Sequence, residues 1–204
     1  MPQQPTDHSV MPNEGTTANA PSFQLYSTPF SDLALIKRTN YSDTRGTFGK
    51  LYSSKLFADM GVNMNEFKET IFSISTKDVI RGMHYQDDPY ASSKLVSVVK
   101  GSIIDVVVCI KPYHVSREFG KIYSCYMSAN NCRSLLIPPG YAHGFRSLDE
   151  ETIVVYNQSA DYSSDHDKGI NYLSFGFNWN ISDPIVSEKD RSLPTLAELQ
   201  DLMD

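Results

Sequence analysis

Apolar positions along the chain fall into short runs of period two or into unbroken β-branched stretches, which is a strand pattern. Residues 95–110 (LVSVVKGSIIDVVVCI) hold two such runs around Lys100-Gly101 and predict a hairpin. Further strands are predicted over 70–75, 121–127, 133–137, 142–147 and 152–158. Turn-rich pieces separate them, among them Gln86-Asp87-Asp88-Pro89, Ser128-Ala129-Asn130-Asn131 and Pro138-Pro139-Gly140. Helical periodicity is sparse: a short helix over 53–60, and another from about Pro194 through LAELQDLM. Strands do not alternate with helices, so a parallel βαβ sheet is disfavoured. The pattern is that of an all-β sandwich or barrel. The first 21 residues, rich in Pro, Gln, Thr and Asn, carry almost nothing to bury. They are expected to be a disordered tail, with residues 22–204 forming one domain.

Composition adds exclusions. A chain of 204 residues suits one domain. Eighteen Lys and Arg against 24 Asp and Glu leave a net charge of -6, which disfavours a non-specific binder of nucleic acid or anionic membrane. No apolar run reaches the length of about 18 that a spanning helix needs. The N-terminus has no basic start or apolar core, so no secretory signal is expected. Three cysteines, Cys109, Cys125 and Cys132, form neither a CxxC zinc pattern nor a disulfide framework. A reducing cytoplasm is the simplest compartment.

The chemistry centres on two of the five histidines. His84 lies in Arg81-Gly82-Met83-His84-Tyr85-Gln86. His143 lies in Pro138-Pro139-Gly140-Tyr141-Ala142-His143, whose P-x-G-x-x-H spacing resembles the turn that delivers a histidine into the mouth of a cupin-type double-stranded β-helix. His114 and His166 sit in polar loops and read as surface, and His8 falls in the tail. The early strand offers one imidazole and no nearby carboxylate, so a 2-His-1-carboxylate metal set lacks a ligand. Without a metal, His84 and His143 suit acid–base chemistry or anion binding. Asp105, inside Ile103-Ile104-Asp105-Val106-Val107, either points outward or pairs with an inward cation such as Lys94. Tyr156, ending Thr152-Ile153-Val154-Val155-Tyr156, is either packing or a proton donor in a dry pocket. Arg45, in Asp43-Thr44-Arg45-Gly46, sits in a turn that can present a guanidinium to a phosphate.

Taken in order, these pieces resemble the dTDP-4-dehydrorhamnose 3,5-epimerase family of nucleotide-sugar epimerases. The landmarks are DxRGxF (43–48), RGxHYQ (81–86), KLVxVVxGxIxDVVV (94–108), FGK (119–121), IPPGYAHGF (137–145), Tyr156, Asp161-Tyr162 and PIVSEKD (184–190). The resemblance covers about residues 24–195. It implies a cupin-type jelly roll with a few short helices, and cofactor-independent proton transfer beside the carbonyl of a nucleotide-linked 4-keto-6-deoxy sugar. By resemblance His84 is the base and Asp190 the carboxylate that fixes its tautomer. Tyr156 is the opposite-face acid, and Lys94 stabilises charge on O4. Arg45, Arg81, Gln86, Asp105, Arg133, His143 and Tyr162 are implied on the substrate side, with Asp105 expected to orient Lys94. No metal or cofactor is implied. A homodimer exchanging N-terminal strands is, with Arg45 reaching the neighbour's site.

Three departures bear on specificity. Lys50 stands where the family's DxRGxFxE carries an acid. Glu69–Ser73 replaces a QDN-x-S stretch, and Gly176–Asn180 replaces GIxWP. They suggest the same chemistry on a CDP- or GDP-linked sugar, in deoxysugar synthesis for surface polysaccharide. The competing readings are a non-catalytic nucleotide-sugar-binding cupin, a metal cupin and a sugar ketoisomerase.

Overall fold

The computed structural model describes residues 22–60, 67–112 and 114–203. The expected tail, with His8, lies outside the described residues. In chain order the strands are β1 (Phe23–Ser27), β2 (Ala34–Arg38), β3 (Asn40–Asp43), β4 (Gly46–Gly49), β5 (Glu69–Ser75), β6 (Ile80–Gln86) and β7 (Lys94–Lys100). They continue with β8 (Ser102–Cys109), β9 (Ile122–Ser128), β10 (Arg133–Ile137), β11 (Tyr141–Ser147), β12 (Thr152–Gln158) and β13 (Asp167–Gly169). Among the described residues, three short helices are α1 (Ser54–Asp59), α2 (Glu188–Arg191) and α3 (Leu196–Asp201).

Two antiparallel sheets form the body of a cupin-type jelly roll. One has the order β1-β2-β10-β7-β12-β5, the other β13-β6-β11-β8-β9. Inward positions of both build the core between them: Val96 and Val98, Ile103 and Val107, Leu135 and Ile137, Phe145 and Val154. The predicted hairpin over 95–110 is corrected here. β7 pairs with β10 and β12, whereas β8 pairs with β11 and β9. Gly101, at φ +71°, turns the chain out of one sheet into the other. The unbroken β-branched runs reflect this: both strands are covered on both faces, so neither alternates.

That second covering positions the site. Leu95, Ile36 and Leu136, on the outer face of the first sheet, pack against Phe57 of α1. The outer face of the second sheet (Ile80, Met83, Val106, Val108) is covered by the C-terminal segment, through Ile170, Tyr172, Phe175, Trp179 and Leu199. Each fully buried side chain of this size stabilises the fold by about 1.5–3 kcal/mol. The Trp179 indole donates to the Tyr172 carbonyl at 2.8 Å, so the ring is buried without an orphaned N–H. The segment then returns to the sheet beside β6, where Val79 bridges Ile185 and the Ile80 amide donates to the Ile185 carbonyl at 2.9 Å. α2 follows at once, which is how residues 106 positions apart come to touch.

Candidate active site

A cavity of about 650 Å³ opens between the sheets, lined among others by Arg81, His84, Gln86, Lys94, His143, Tyr156, Tyr162 and Asp190. An irregularity in β6 aims two of these. His143 of β11 pairs with His84, while Phe145 pairs with Arg81, so β6 carries one residue more than its partner over this stretch. The bulge lets Arg81 and His84, three positions apart, face the same cavity, where a regular strand would turn one of them away. Gly82 makes it possible. Its φ is +118°, and an added Cβ would lie 2.6 Å from the Gly144 Cα.

His84 Nε2 lies 2.8 Å from Asp190 Oδ1, and the Gly82 amide donates to Asp190 Oδ2 at 3.1 Å. Ser187 caps α2 by accepting from the Asp190 amide at 3.1 Å, which seats that carboxylate. Burial pushes the Asp190 carboxyl up. The hydrogen bond and charge of His84, with the Gly82 and Ser187 hydrogen bonds, outweigh it and hold the group below its ordinary value. An ionised carboxylate can only accept, so Nε2 carries the proton and Nδ1 presents the lone pair.

Lys94, at the start of β7, and Tyr156, on β12, belong to the other sheet. His84 and the Tyr156 phenol therefore come from opposing walls of one sandwich. Burial pushes the Lys94 ammonium down to about 8, against the nearby negative charge of Asp167. The Tyr156 hydroxyl is 3.1 Å from Ser73 Oγ. Burial raises its pKa well above the ordinary phenol value and the Asp105 charge adds to this, while Ser73 and Arg81 oppose it. It is thus a protonated donor at neutral pH. The Arg81 guanidinium donates to Ser75 Oγ at 2.9 Å and to the Ile74 carbonyl at 3.3 Å.

The expected pairing of Asp105 with Lys94 is corrected. Asp105 Oδ2 lies 2.8 Å from His143 Nε2, and both residues are buried. Burial raises the Asp105 carboxyl, against the charge and hydrogen bond of His143, and its Oδ1 finds no partner among the described residues. Asp105 is fully buried behind His143, so it supports that histidine and does not meet a substrate itself. Two further implied residues fall away from the cavity walls. Arg45 sits at the exposed tip of the β3–β4 hairpin, clasped to Asp43. Arg133 begins β10, with its guanidinium 3.4 Å from the Tyr126 carbonyl.

Gln86 does line the cavity, but its amide is committed. It donates to the Tyr90 and Asp161 carbonyls and accepts from the Ser163 amide. Tyr162 stands exposed at the mouth. His114 is exposed, as expected. His166 is not plain surface: it is half-buried and paired with Asp87 at 2.8 Å. Asp167, a cavity residue that sequence reasoning missed, takes Lys189 Nζ at 2.5 Å and the Tyr162 hydroxyl at 3.3 Å. Its setting, Asp165-His166-Asp167-Lys168, reads as a solvated charge run and gives no signal. Among the described residues no group of three or more His, Cys, Asp or Glu is arranged to hold a metal ion.

A jelly roll with a His–Asp pair on one inner wall and a lysine and a tyrosine on the other defines a cupin-type enzyme of acid–base chemistry. Residues 27–198 match the family model described as dTDP-4-dehydrorhamnose 3,5-epimerase, and the chain belongs to that isomerase family. The epimerase of Sinorhizobium fredii is 35% identical over 194 residues, covering 91% of this chain and 94% of that protein. The crystal structure of the Bacillus anthracis epimerase with TDP and PPi bound aligns with a TM-score of 0.80 at 36% identity, over 85% of this chain and 99% of that one. The Legionella pneumophila epimerase in complex with dTDP-4-keto-L-rhamnose aligns at 0.80 and 31%, over 87% and 96%.

Proposed function

We propose that this chain epimerises a nucleotide-linked 4-keto-6-deoxy sugar at C3, C5 or both. The observation that carries the reading is the His84–Asp190 pair facing Tyr156 across one cavity, with Lys94 beside them. His84 Nδ1 takes the proton from a carbon next to the keto group, and the C–H electrons move to O4 as an enolate. The Lys94 ammonium stabilises that charge, an interaction of a few kcal/mol in a water-poor site. Tyr156 returns a proton to the other face of the carbon, inverting it. The imidazolium and the phenolate then re-equilibrate through solvent, so no redox partner is needed.

The Legionella relative holds a dTDP sugar, which makes dTDP-4-keto-6-deoxyglucose the first substrate to assay. The departure at Lys50 lies on an exposed segment off the cavity walls, whereas Ile71, Phe72 and Ser73 of the altered 69–73 stretch do line them. CDP- and GDP-linked sugars are therefore the alternates. Arg45, Tyr41 and Phe48 stand exposed on the β3–β4 hairpin, and Ile74 stands exposed on β5. These surfaces support a homodimer in which the hairpin meets the second copy. A monomer mass in solution at micromolar concentration overturns it. Three buried cysteines, none of them in a disulfide, suit a reducing cytoplasm, with the product passing to deoxysugar and surface-polysaccharide synthesis.

Proton NMR in D2O with the three nucleotide sugars tests the reading. Deuterium should enter at C3 or C5 with altered ring couplings. Folded protein that exchanges no ring hydrogen in any of the sugars overturns it.

A further inference from the structure

Residues 159–166 join β12 to β13 as a strap across the cavity mouth, and the strap carries Tyr162. Tyr162 has little to hold it by itself: its amide donates to Glu69 Oε2 at 2.9 Å on the exposed side, and its hydroxyl reaches Asp167. The residues around it are gripped by the end of β6 and the loop that follows it. The Gln86 side chain ties Asp161 and Ser163. Three positions on, His166 Nδ1–H donates to Asp87 Oδ1 at 2.8 Å, and its ring stacks on Tyr90 at 4.8 Å and 24°. The Asp87 amide donates back to the His166 carbonyl at 3.1 Å. The hydrogen bond sets the distance between the two loops, and the stack sets the plane of the ring. Neither group lines the cavity.

We propose that Asp87, Tyr90 and His166 form a clasp that positions Tyr162 and Asp167 against the nucleotide end of the substrate. This rests on the epimerase reading, in which the sugar sits deep between His84 and Tyr156 and the nucleotide extends to the mouth. The three are positioning residues, acting on affinity and not on proton transfer. The clasp costs little stability to lose, because the strap also has its backbone anchors at Ser92, Ser93 and Gln86. Its loss frees the strap to move, and the ordering is then paid at each binding event.

The test compares wild type with His166→Ala, Tyr90→Leu and His166→Asn, whose side-chain amide can still donate to Asp87. In His166→Ala and Tyr90→Leu, KM for the dTDP sugar and Kd for dTDP should rise about tenfold with kcat within about twofold. Amide hydrogen exchange over 159–166 should accelerate in both. His166→Asn should recover most of the affinity and the protection. A fall in kcat at constant KM, or unchanged exchange in His166→Ala, overturns the clasp. Should the wild type turn over no sugar, the epimerase reading fails by itself, and dTDP affinity with strap exchange still decides the clasp.

Discussion

Two His–Asp pairs stand side by side in this fold, at the same 2.8 Å separation and with their histidines on adjacent strands. Their environments drive them apart. Asp190 takes hydrogen bonds from the Gly82 amide and from His84, and its carboxyl is held below the ordinary range. Asp105 is sealed in the core with one oxygen unpartnered, and burial raises its carboxyl above that range. His84 faces the cavity partly exposed, while His143 is buried. The residue pair alone therefore does not define a catalytic dyad. What does is a carboxylate kept charged by donors, behind an imidazole with its second nitrogen open to substrate.

The strongest way to break this comparison is to neutralise each carboxylate in turn. Asp190→Asn removes the acceptor that fixes the His84 tautomer, and kcat should fall by about 10²–10⁴, as should that of His84→Asn. Asp105→Asn should lose less than about tenfold, because Asp105 is sealed behind His143 and does not reach the cavity itself. Steady-state rates with the dTDP sugar measure all three. Equal losses at Asp190 and Asp105 would erase the distinction.

A smaller effect is expected on the facing wall. Lys94→Met should cost about 10²–10³ in kcat, the usual range for one donor to a developing oxyanion. Lys94 also gives the pH profile its alkaline side. Its ammonium, pushed down to about 8, is charged below that pH and lost above it. The kcat/KM profile should therefore fall as pH rises through about 8. Lys94→Arg, which stays charged, should abolish that limb whatever its absolute rate. A wild-type profile flat to pH 9 would mean that the charge on Lys94 is not used.

Much of this architecture was legible in the sequence because strand periodicity is local. Strands 133–137 and 152–158 appear with the expected bounds, and the helix over 53–60 appears as α1. Pairing is not local. The run over 95–110 looks like a hairpin, but its halves join different sheets, since an unbroken β-branched run says that both faces are covered without saying by what. The same limit governs the site. His84, Lys94, Tyr156 and Asp190 were found through motif order, and the fold brings them to one cavity. The Asp105 partner was misassigned because alternation puts both Lys94 and His143 on inward faces. Only the diagonal of the β8–β11 register, with His143 opposite Val107 and Phe145 opposite Asp105, selects the histidine. Asp167, at the start of β13, and the His166 clasp lie in polar stretches whose composition is that of solvated surface.

The subtlest comparison is thermodynamic, and its sign is the test. Asp190, with a folded pKa below its unfolded value, adds stability that is present above the ordinary carboxylate range of about pH 4 and is lost as pH falls through the folded pKa. Asp190→Asn should thus cost most at neutral pH, about 1–2 kcal/mol or roughly 2–8 °C in Tm, and progressively less toward pH 4. Asp105 works the other way. Its raised folded pKa gives a contribution that is complete below the unfolded carboxyl range and is lost as pH rises. A neutral amide in its place no longer has to be buried as a charge, so Asp105→Asn should match or exceed the wild-type Tm at pH 7–8 and lose that advantage toward pH 4. Thermal melts of the two variants from pH 4 to 8 should therefore give differences from wild type that slope in opposite directions. Parallel slopes would mean that both carboxylates are ionised in like environments, and that the orphaned oxygen of Asp105 is satisfied in solution.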